Sequence, residues 1–490
     1  MPVVIDIKAR KALKIVFVIL IFAWSAYLLA QKVDLSTADL GRHIKNGELI
    51  LNGNAETRRA IFTENFYSYT STKTPFLNHH WGTGVVFYII HKYIGFTGLH
   101  LFFLILMLGA LWFSFDAARR ASGVFVASAI LLFLLPLIAV RSEIRPEVFT
   151  YFFSSFFIWV FIRYARNEIS QKWLFAIPVI SVVWANLHIG FIFGIFIAGV
   201  FLLVHRTRPL LLVFVGTILV SLLNPAGLAG LLYPFNIFNG YGYRVLENQS
   251  VWFLERLGLS TGYDSLLFVV SSFFSVTCLI LCIWRKCSKE ILSIGIITLA
   301  FVVLSALSVR HFPSFAFIAL PFLVSSFALV NNSLDENKKV WAGVFLAILA
   351  FFGIFRGVGL LQKRIIPGIG LLNGNIAAGE FLRSQKINGP ILNNYDIGGY
   401  LIYFLAPETK VFTDNRPEAY PPDFFDSTYI PALEREEEFS KLDAKYNFKT
   451  IAFQHRDATP WAQLFLQRII RDNRFEQAFV DDRIIILIRK

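Results

Sequence analysis

Eleven apolar runs, each long enough or nearly long enough to cross a bilayer as a helix, divide the first 356 residues. They cover 12–30, 97–117, 123–139, 148–164, 172–187, 189–205, 208–224, 264–284, 290–308, 311–330 and 339–356. A helix needs about 20 apolar residues to span a hydrocarbon core of about 30 Å, because every backbone polar group must be satisfied inside it. The 490 residues are 56% hydrophobic and 16% charged, proportions that exclude an ordinary soluble protein. The strict alternation of membrane barrel strands is not seen. The expected fold class is therefore mainly α, a polytopic helical membrane protein. The net charge of +13 invites a nucleic-acid reading, but much of the basic charge flanks the apolar runs, where membrane asymmetry accounts for it.

Charge bias also orients the chain. The short run 83–95, ending at His91-Lys92, decides the parity of the later spans. If it does not cross, Arg119-Arg120, Arg163–Lys172, His205–Arg208, Arg285–Lys289 and Lys338-Lys339 share one side with the N-terminal Lys8, Arg10, Lys11 and Lys14. The positive-inside rule makes that side cytoplasmic. The N-terminal run is read as an uncleaved first helix, since no small-residue cleavage site follows it. The loops 31–96 and 225–263 and the tail after 357 then lie outside. So do Arg141, Glu143 and Arg145, Asn186 and His188, Asn224-Pro225, and Arg310-His311. Scattered polar groups converging at one membrane face are what a site for a membrane-embedded substrate requires.

The composition changes near Ile366. Residues 1–357 form the expected membrane module and 358–490 a small α/β domain on the outer face. Helices are predicted over 376–386, 396–404, 433–445 and 461–472, with strands at 391–394, 410–413, 449–454, 477–480 and 483–488. Cys278, Cys282 and Cys287 all fall in or just beyond one apolar run, where packing is their expected use.

The first outer loop is the richest in candidate chemistry. Asp39 is placed to cap a helix running to Ile50, with Leu40, Ile44 and Leu49-Ile50 on one side. Such a helix suits a membrane surface with its polar cluster at the edge. Asp39, or Asp34 just after the first span, could serve as a general base beside Arg42 and His43. The plain alternatives are capping for Asp39 and solvation for Asp34. In Asn78-His79-His80-Trp81 the adjacent histidines point apart on a helix, which makes a weak zinc signal. His80 and Trp81 are expected to pack at the interface, with one imidazole toward substrate. Arg141 and Arg145 flank Glu143 and could clamp a phosphate bidentately or pair with that carboxylate. Arg310-His311 adds a third cation that would be costly without an anion. Asn186 and His188 would bind sugar hydroxyls or cap a turn. Asn393–Tyr400 and Asp414-Asn415-Arg416-Pro417 follow predicted strands, where binding residues or simple turns both occur.

Asp39-Leu40-x-x-His43-Ile44-x-x-Gly47-Glu48-x-Ile50, Tyr67-Ser68-Tyr69-Thr70 and His79-His80-Trp81 resemble a group of bacterial polytopic membrane proteins. The segments Trp184–Phe191, Asn224-Pro225-x-Gly227, Asn394–Tyr400 and Asp414–Tyr420 are similar to the same group. That group resembles the GT-C superfamily of polyprenyl-phosphate-sugar-dependent glycosyltransferases. The resemblance implies many spans, juxtamembrane helices such as 83–95, a first outer loop with an acidic catalytic residue, and an outer C-terminal domain. The adjacent acidic pair common in that superfamily's first loop is absent, since Asp34 and Asp39 stand five apart.

The reading is a glycosyltransferase at the outer face of a bacterial inner membrane. Its donor would be a polyprenyl-phosphate-linked sugar and its acceptor a glycan, lipid or protein. Asp39 or Asp34 would be the base, and Arg141, Arg145 and Arg310 would hold the departing phosphate. Arg42, His43, His79, His80, Glu143, Asn186, His188 and His311 complete the expected binding set. Nothing in the sequence requires a cofactor, while the two Asp and the His cluster leave a divalent cation open. The alternatives are a transporter or flippase of lipid-linked sugars and a non-catalytic membrane assembly protein; midplane charges or inverted repeats would mark a transporter.

Overall fold

The computed structural model describes residues 7–37, 39–72, 74–237, 241–259, 262–363, 366–385 and 389–490. Parts of the expected loop 225–263, the end of the expected helix 376–386 and the side chain of Arg10 lie outside the described residues.

The apolar part opens with α1 (Ile7–Leu29), followed in the first loop by α2 (Leu40–Asn52) and α3 (Ala55–Thr63). Next comes α4 (Trp81–Ala139), whose 59 residues are broken at Gly95 (φ 69°) and Gly123 (φ 81°). Positive φ is open to glycine at no steric cost, so each residue ends one straight rod and starts another. The first break separates the expected juxtamembrane segment from the rod that follows. Then come α5 (Glu147–Ala165), α6 (Ala176–Leu187), α7 (Phe191–His205), α8 (Arg208–Ser221), α9 (Gly227–Asn236) and α10 (Val251–Arg256). The last apolar helices are α11 (Gly262–Trp284), α12 (Lys289–Leu307), α13 (Phe312–Asn331) and α14 (Glu336–Lys363). Each of the eleven apolar runs is helical over most of its length. Seven described helices are long and apolar enough to cross a membrane, with α6, α7 and α8 shorter apolar companions. The chain is an integral membrane protein.

The core is aromatic. Trp184 is fully buried against Phe153 and Phe157, with ring centroids 5.5 and 5.4 Å away. Residues 312–326 of α13 are buried throughout, making that helix the axis around which α4, α5 and α12 pack. The bundle has two distinct ends. At one end Asp116 accepts hydrogen bonds from Arg119, Arg120 and Trp159, Arg120 reaches Glu168, and Arg166 reaches Glu290. The candidate site lies at the other end.

The C-terminal unit contains α15 (Ala377–Ser384), α16 (Gly398–Leu405), α17 (Ile430–Glu434), α18 (Glu436–Tyr446) and α19 (Pro460–Ile469). Its sheet comprises β1 (Ile391–Asn393), β2 (Thr450–Gln454), β3 (Phe475–Val480) and β4 (Ile484–Arg489) in the order β1-β2-β4-β3. β1 runs parallel to β2, and the other pairs are antiparallel. The strand expected at 410–413 is reduced to isolated bridges from Val411 to Ile391 and Ser68. Side chains take the bonds a ladder would use: Phe412 donates its N–H to Asn393 and accepts at its carbonyl from the Ser68 and Thr70 hydroxyls, a substitution of this kind being what short polar side chains offer a backbone.

The first loop is locked onto this sheet, with Val411 donating to Tyr67 at 2.9 Å and accepting from Tyr69 at 3.2 Å. This changes the expectation for α2. Rather than lying on a membrane surface, it is buried between α4 and α16, with nine of its residues out of solvent. Gly41 faces the backbone of Gly399, and Gly47 approaches Gly84 so closely that a Cβ would stand 2.0 Å from its carbonyl oxygen.

Candidate functional site

Where α2 meets the bundle there is a cavity of about 780 Å³. Its wall has two characters. Asp39, Arg42, His79, His80, Glu147, His188, Glu247, Arg310 and His311 line one part. The other part is apolar, built by Ile192, Phe193, Ile195 and Phe196 of α7 with Ala300, Val303 and Leu304 of α12. Tyr395, Asn415 and Glu418 of the C-terminal unit close it.

Asp39 occupies the N-cap position of α2, yet its side chain makes no capping bond. Its backbone is already helical (φ −70°, ψ −5°), whereas a capping side chain normally needs an extended backbone to fold back on the first N–H groups. The carboxylate is thereby left for the cavity, and the capping expectation is corrected. Arg42 and Arg145 each stand 3.8 Å from the same oxygen. Burial nevertheless outweighs both cations and raises the Asp39 pKa above its ordinary value, the direction a proton acceptor needs.

Asp34 is elsewhere. It lines a separate cavity of about 220 Å³ and accepts from Arg483 at 2.7 Å, Asn375 at 2.9 Å and Ser36 at 2.6 Å. Burial works to raise its pKa, but these hydrogen bonds win and hold it below the ordinary carboxylate value. Of the two aspartates expected as bases, the geometry brings only Asp39 to the main cavity.

Four imidazoles cluster around His80. His80 lies 5.3 Å from His43, 3.9 Å from His79 and 5.1 Å from His188, measured between ring centres. Burial drives His43 and His80 well below the usual imidazole value and His79 to about 3, so these rings are neutral at ordinary pH. His188 accepts at Nδ1 from the Gly190 N–H at 3.0 Å, which fixes its proton on Nε2. Among the described residues no three His, Cys, Asp or Glu side chains converge as a metal site. The Trp81 indole N–H goes to Asn186, whose amide in turn holds the Val182 and Leu223 carbonyls. Asn186 therefore ties the turn and lies outside the main cavity.

The arginines form a compact ionic lattice. Arg141 donates to Glu247 at 2.7 Å and to Glu147 at 3.0 Å, and Arg145 to Glu247 at 2.8 Å and Glu143 at 2.7 Å. Arg310 donates to Glu147 at 2.6 Å and stands 3.4 Å from Glu247. The anion that sequence reasoning wanted for three cations is thus supplied by the chain itself. Burial opposes the Glu247 charge, but Arg141, Arg145 and Arg310 hold its pKa down to about 2. Sequence reasoning missed Glu147, Glu247 and Glu418. The signal for Glu147 was present, directly after Arg145-Pro146. Glu247 sits in a loop with no motif around it.

The strand-end motifs divide in the same way. Asp414 and Arg416 form a buried bidentate pair, with both bonds at 2.7 Å, and Arg416 also reaches Asn65 and stacks on Phe76. This pins the first loop to the C-terminal unit, while the neighbouring Asn415, Pro417 and Glu418 face the cavity. Asn393 and Asn394 are buried and spend their amides within the domain. A second cavity of about 510 Å³ adjoins the first, sharing His79, Ile189, Ile237 and Glu418, and is otherwise lined largely by aromatic and apolar groups including Phe62, Trp81 and Tyr233.

No family model and no curated protein matches this sequence. Solved structures do resemble it. The archaeal oligosaccharyltransferase AglB from Archaeoglobus fulgidus, solved with an inhibitory peptide and a dolichol-phosphate, matches with a TM-score of 0.60 at 13% identity, over 94% of this chain and 72% of that one. ArnT from Cupriavidus metallidurans bound to undecaprenyl phosphate matches with a TM-score of 0.54 at 15% identity, over 98% of both chains. The arabinofuranosyltransferase AftD from Mycobacteria matches with a TM-score of 0.56 at 12% identity, over 96% of this chain and 39% of that one. The chain has the GT-C fold.

Proposed function

We propose that this protein is a membrane glycosyltransferase that takes its sugar from a polyprenyl-phosphate-linked donor at the outer face of the bacterial inner membrane. One observation carries the reading. A single cavity joins a charged wall to an apolar wall between α7 and α12, the two-sided lining that an amphiphile with an anionic head and an isoprenoid tail requires. The fold neighbours solved with dolichol-phosphate and undecaprenyl phosphate support a donor of that class. The outer-face assignment rests on charge: the Arg119, Arg120 and Arg166 clusters are at the end of the bundle opposite the cavity, as the positive-inside rule asks of a cytoplasmic face.

In the proposed reaction the acceptor's hydroxyl or amine attacks the anomeric carbon of the donor. The glycosyl–phosphate C–O bond breaks with inversion, and Asp39 takes the acceptor's proton. Arg310 at the cavity wall, backed by Arg141 and Arg145, stabilises the charge left on the polyprenyl phosphate. The adjoining aromatic cavity offers the acceptor a route to the same point. The domain division is part of the proposal: residues 1–357 carry the donor site and 358–490 cover it from outside.

The test is sugar transfer by full-length protein in proteoliposomes, using a panel of polyprenyl-phosphate sugars and acceptors. Asp39→Asn is expected to keep donor binding and lose about 100-fold or more in turnover, the usual scale of a lost general base. Asp34→Asn is expected to turn over at the wild-type rate once folded. Absence of transfer across the panel, with lipid-linked sugar still crossing the bilayer, would replace this reading with a transporter.

A further inference from the structure

Glu247 differs from the other carboxylates of the lattice in its partners. It lines the cavity beside Glu147 and Arg310, and it alone pairs with all three guanidiniums, while Arg141 and Arg145 do not reach the cavity wall. Its Oε2 bridges Arg141 and Arg145 at 2.7 and 2.8 Å, and its Oε1 faces Arg310 at 3.4 Å. Two oxygens of one anion thus meet three guanidiniums, an arrangement a tetrahedral phosphate fills at least as well.

We propose that Glu247 is a resident stand-in for the donor's phosphate, which displaces it to reach the guanidiniums of Arg141, Arg145 and Arg310; this rests on the donor reading above. The displaced group is the side chain alone. Ser308 donates to the Glu247 carbonyl at 2.9 Å, and the Gln249 carbonyl accepts from the Val309 N–H at 3.1 Å. The backbone is therefore held to the connection before α13, and rotation about the side-chain bonds is enough to uncover the seat. Asn248 accepts from Arg310 at 2.9 Å, keeping that guanidinium aimed while Glu247 swings. Glu147 does not share this role, because it sits at the start of α5 and engages Arg141 through both oxygens. It remains the fixed counter-ion.

With Glu247 in place the three guanidiniums are matched. Without it Glu147 and Glu143 alone would face three buried cations, so Glu247 keeps the site folded between donors. The seat is built for a phosphate monoester or diester, with the ester chain leaving along the apolar wall of α7 and α12.

The experiment measures binding of polyprenyl monophosphate to full-length protein in phosphatidylcholine nanodiscs, together with thermal stability, for wild type, Glu247→Gln and Glu247→Asp. Removing the competing anion is expected to tighten binding about tenfold or more in Glu247→Gln. That variant should also melt lower than wild type and recover when the lipid is added. Glu247→Asp, which keeps the charge on a shorter arm, should fall between the two and serves if Glu247→Gln does not fold. Inorganic phosphate forms a parallel arm: recovery with it alone makes free phosphate the occupant, and recovery only with the lipid makes it the lipid headgroup, either of which supports the seat. Unchanged or weaker binding in both variants, with no recovery of melting temperature, would make Glu247 a structural strut and overturn the proposal. Such a result beside intact sugar transfer leaves the enzyme reading standing, whereas tightened binding without transfer from any donor does the reverse.

Discussion

Asp34 accepts a 2.7 Å hydrogen bond from Arg483, a residue 449 positions later in the chain. The bond joins the segment just after the first apolar helix to the turn before the last strand. Asparagine at position 34 removes the charge and leaves Arg483 half-buried without its partner. The expected result is a loss of about 2 kcal/mol, typical of hydrogen bonds to charged groups, read as a lower melting temperature with turnover per folded molecule unchanged. Asp34 has a folded pKa below its unfolded one, so its contribution is present above the unfolded value and is lost as pH falls through the folded value. The stability gap between wild type and variant should accordingly close in acid.

Asp39 should set the acidic limb of the pH–rate profile, because the base must be ionised. Its pKa is raised by burial and restrained by Arg145 and Arg42. Replacing Arg42 by Gln removes one restraint. The acidic limb of kcat is then expected to move to higher pH, while the alkaline side stays in place. A limb that does not move, or moves down, would show that another group titrates there.

Asp396 behaves in the opposite sense to Asp34. Burial, with Asp457 and Asp39 nearby, pushes its pKa up to about 7. A carboxyl raised in the folded state weakens the fold once it must ionise, so stability should decline as pH rises from the ordinary carboxylate value toward 7 and level off above it. Asp396→Asn is expected to melt higher than wild type at pH 8 and at the same temperature at pH 4.

Gly47 tests the seam between α2 and α4. A Cβ there would meet the Gly84 carbonyl oxygen at 2.0 Å and the Tyr88 side chain at 2.7 Å. The first of these neighbours is backbone and cannot rotate away, so Gly47→Ala must part the helices and shift Asp39 with them. A destabilisation of about 3 kcal/mol, the upper part of the usual overpacking range, is expected, with loss of donor turnover. Gly343→Ala, where nothing lies within 4 Å, is the matched control and should melt as wild type does.

How much of this was legible beforehand varies by element. The runs of apolar residues identified the helical segments, because length and composition are local properties. The run 83–95 was set apart from 97–117 by its short length, and the positive φ of Gly95 breaks the helix between them. Of the tail, the helices and most strands stood out by periodicity. The segment 410–413 did not become a strand, because Ser68, Thr70 and Asn393 bond its backbone from a distance no pattern records. Asp39, Arg42, His79, His80, His188, Arg310 and His311 were picked out as polar groups stranded in an apolar chain, and the structure gathers them at one cavity. Asp34 and Asn186 were picked out for the same reason, yet they serve as ties.

The sequence by itself determined that this chain crosses a membrane and that its polar residues fall in a few short connections, because the bilayer penalises anything else residue by residue. Tertiary structure alone decided which of those residues share a site. Glu247 meets Arg141 across 106 positions and Arg310 across 63, and the burial of α2 against α4 is completed by α16 arriving from the far end of the chain. Electrostatic partnership depends on separation in space, and separation along the chain carries almost no information about it.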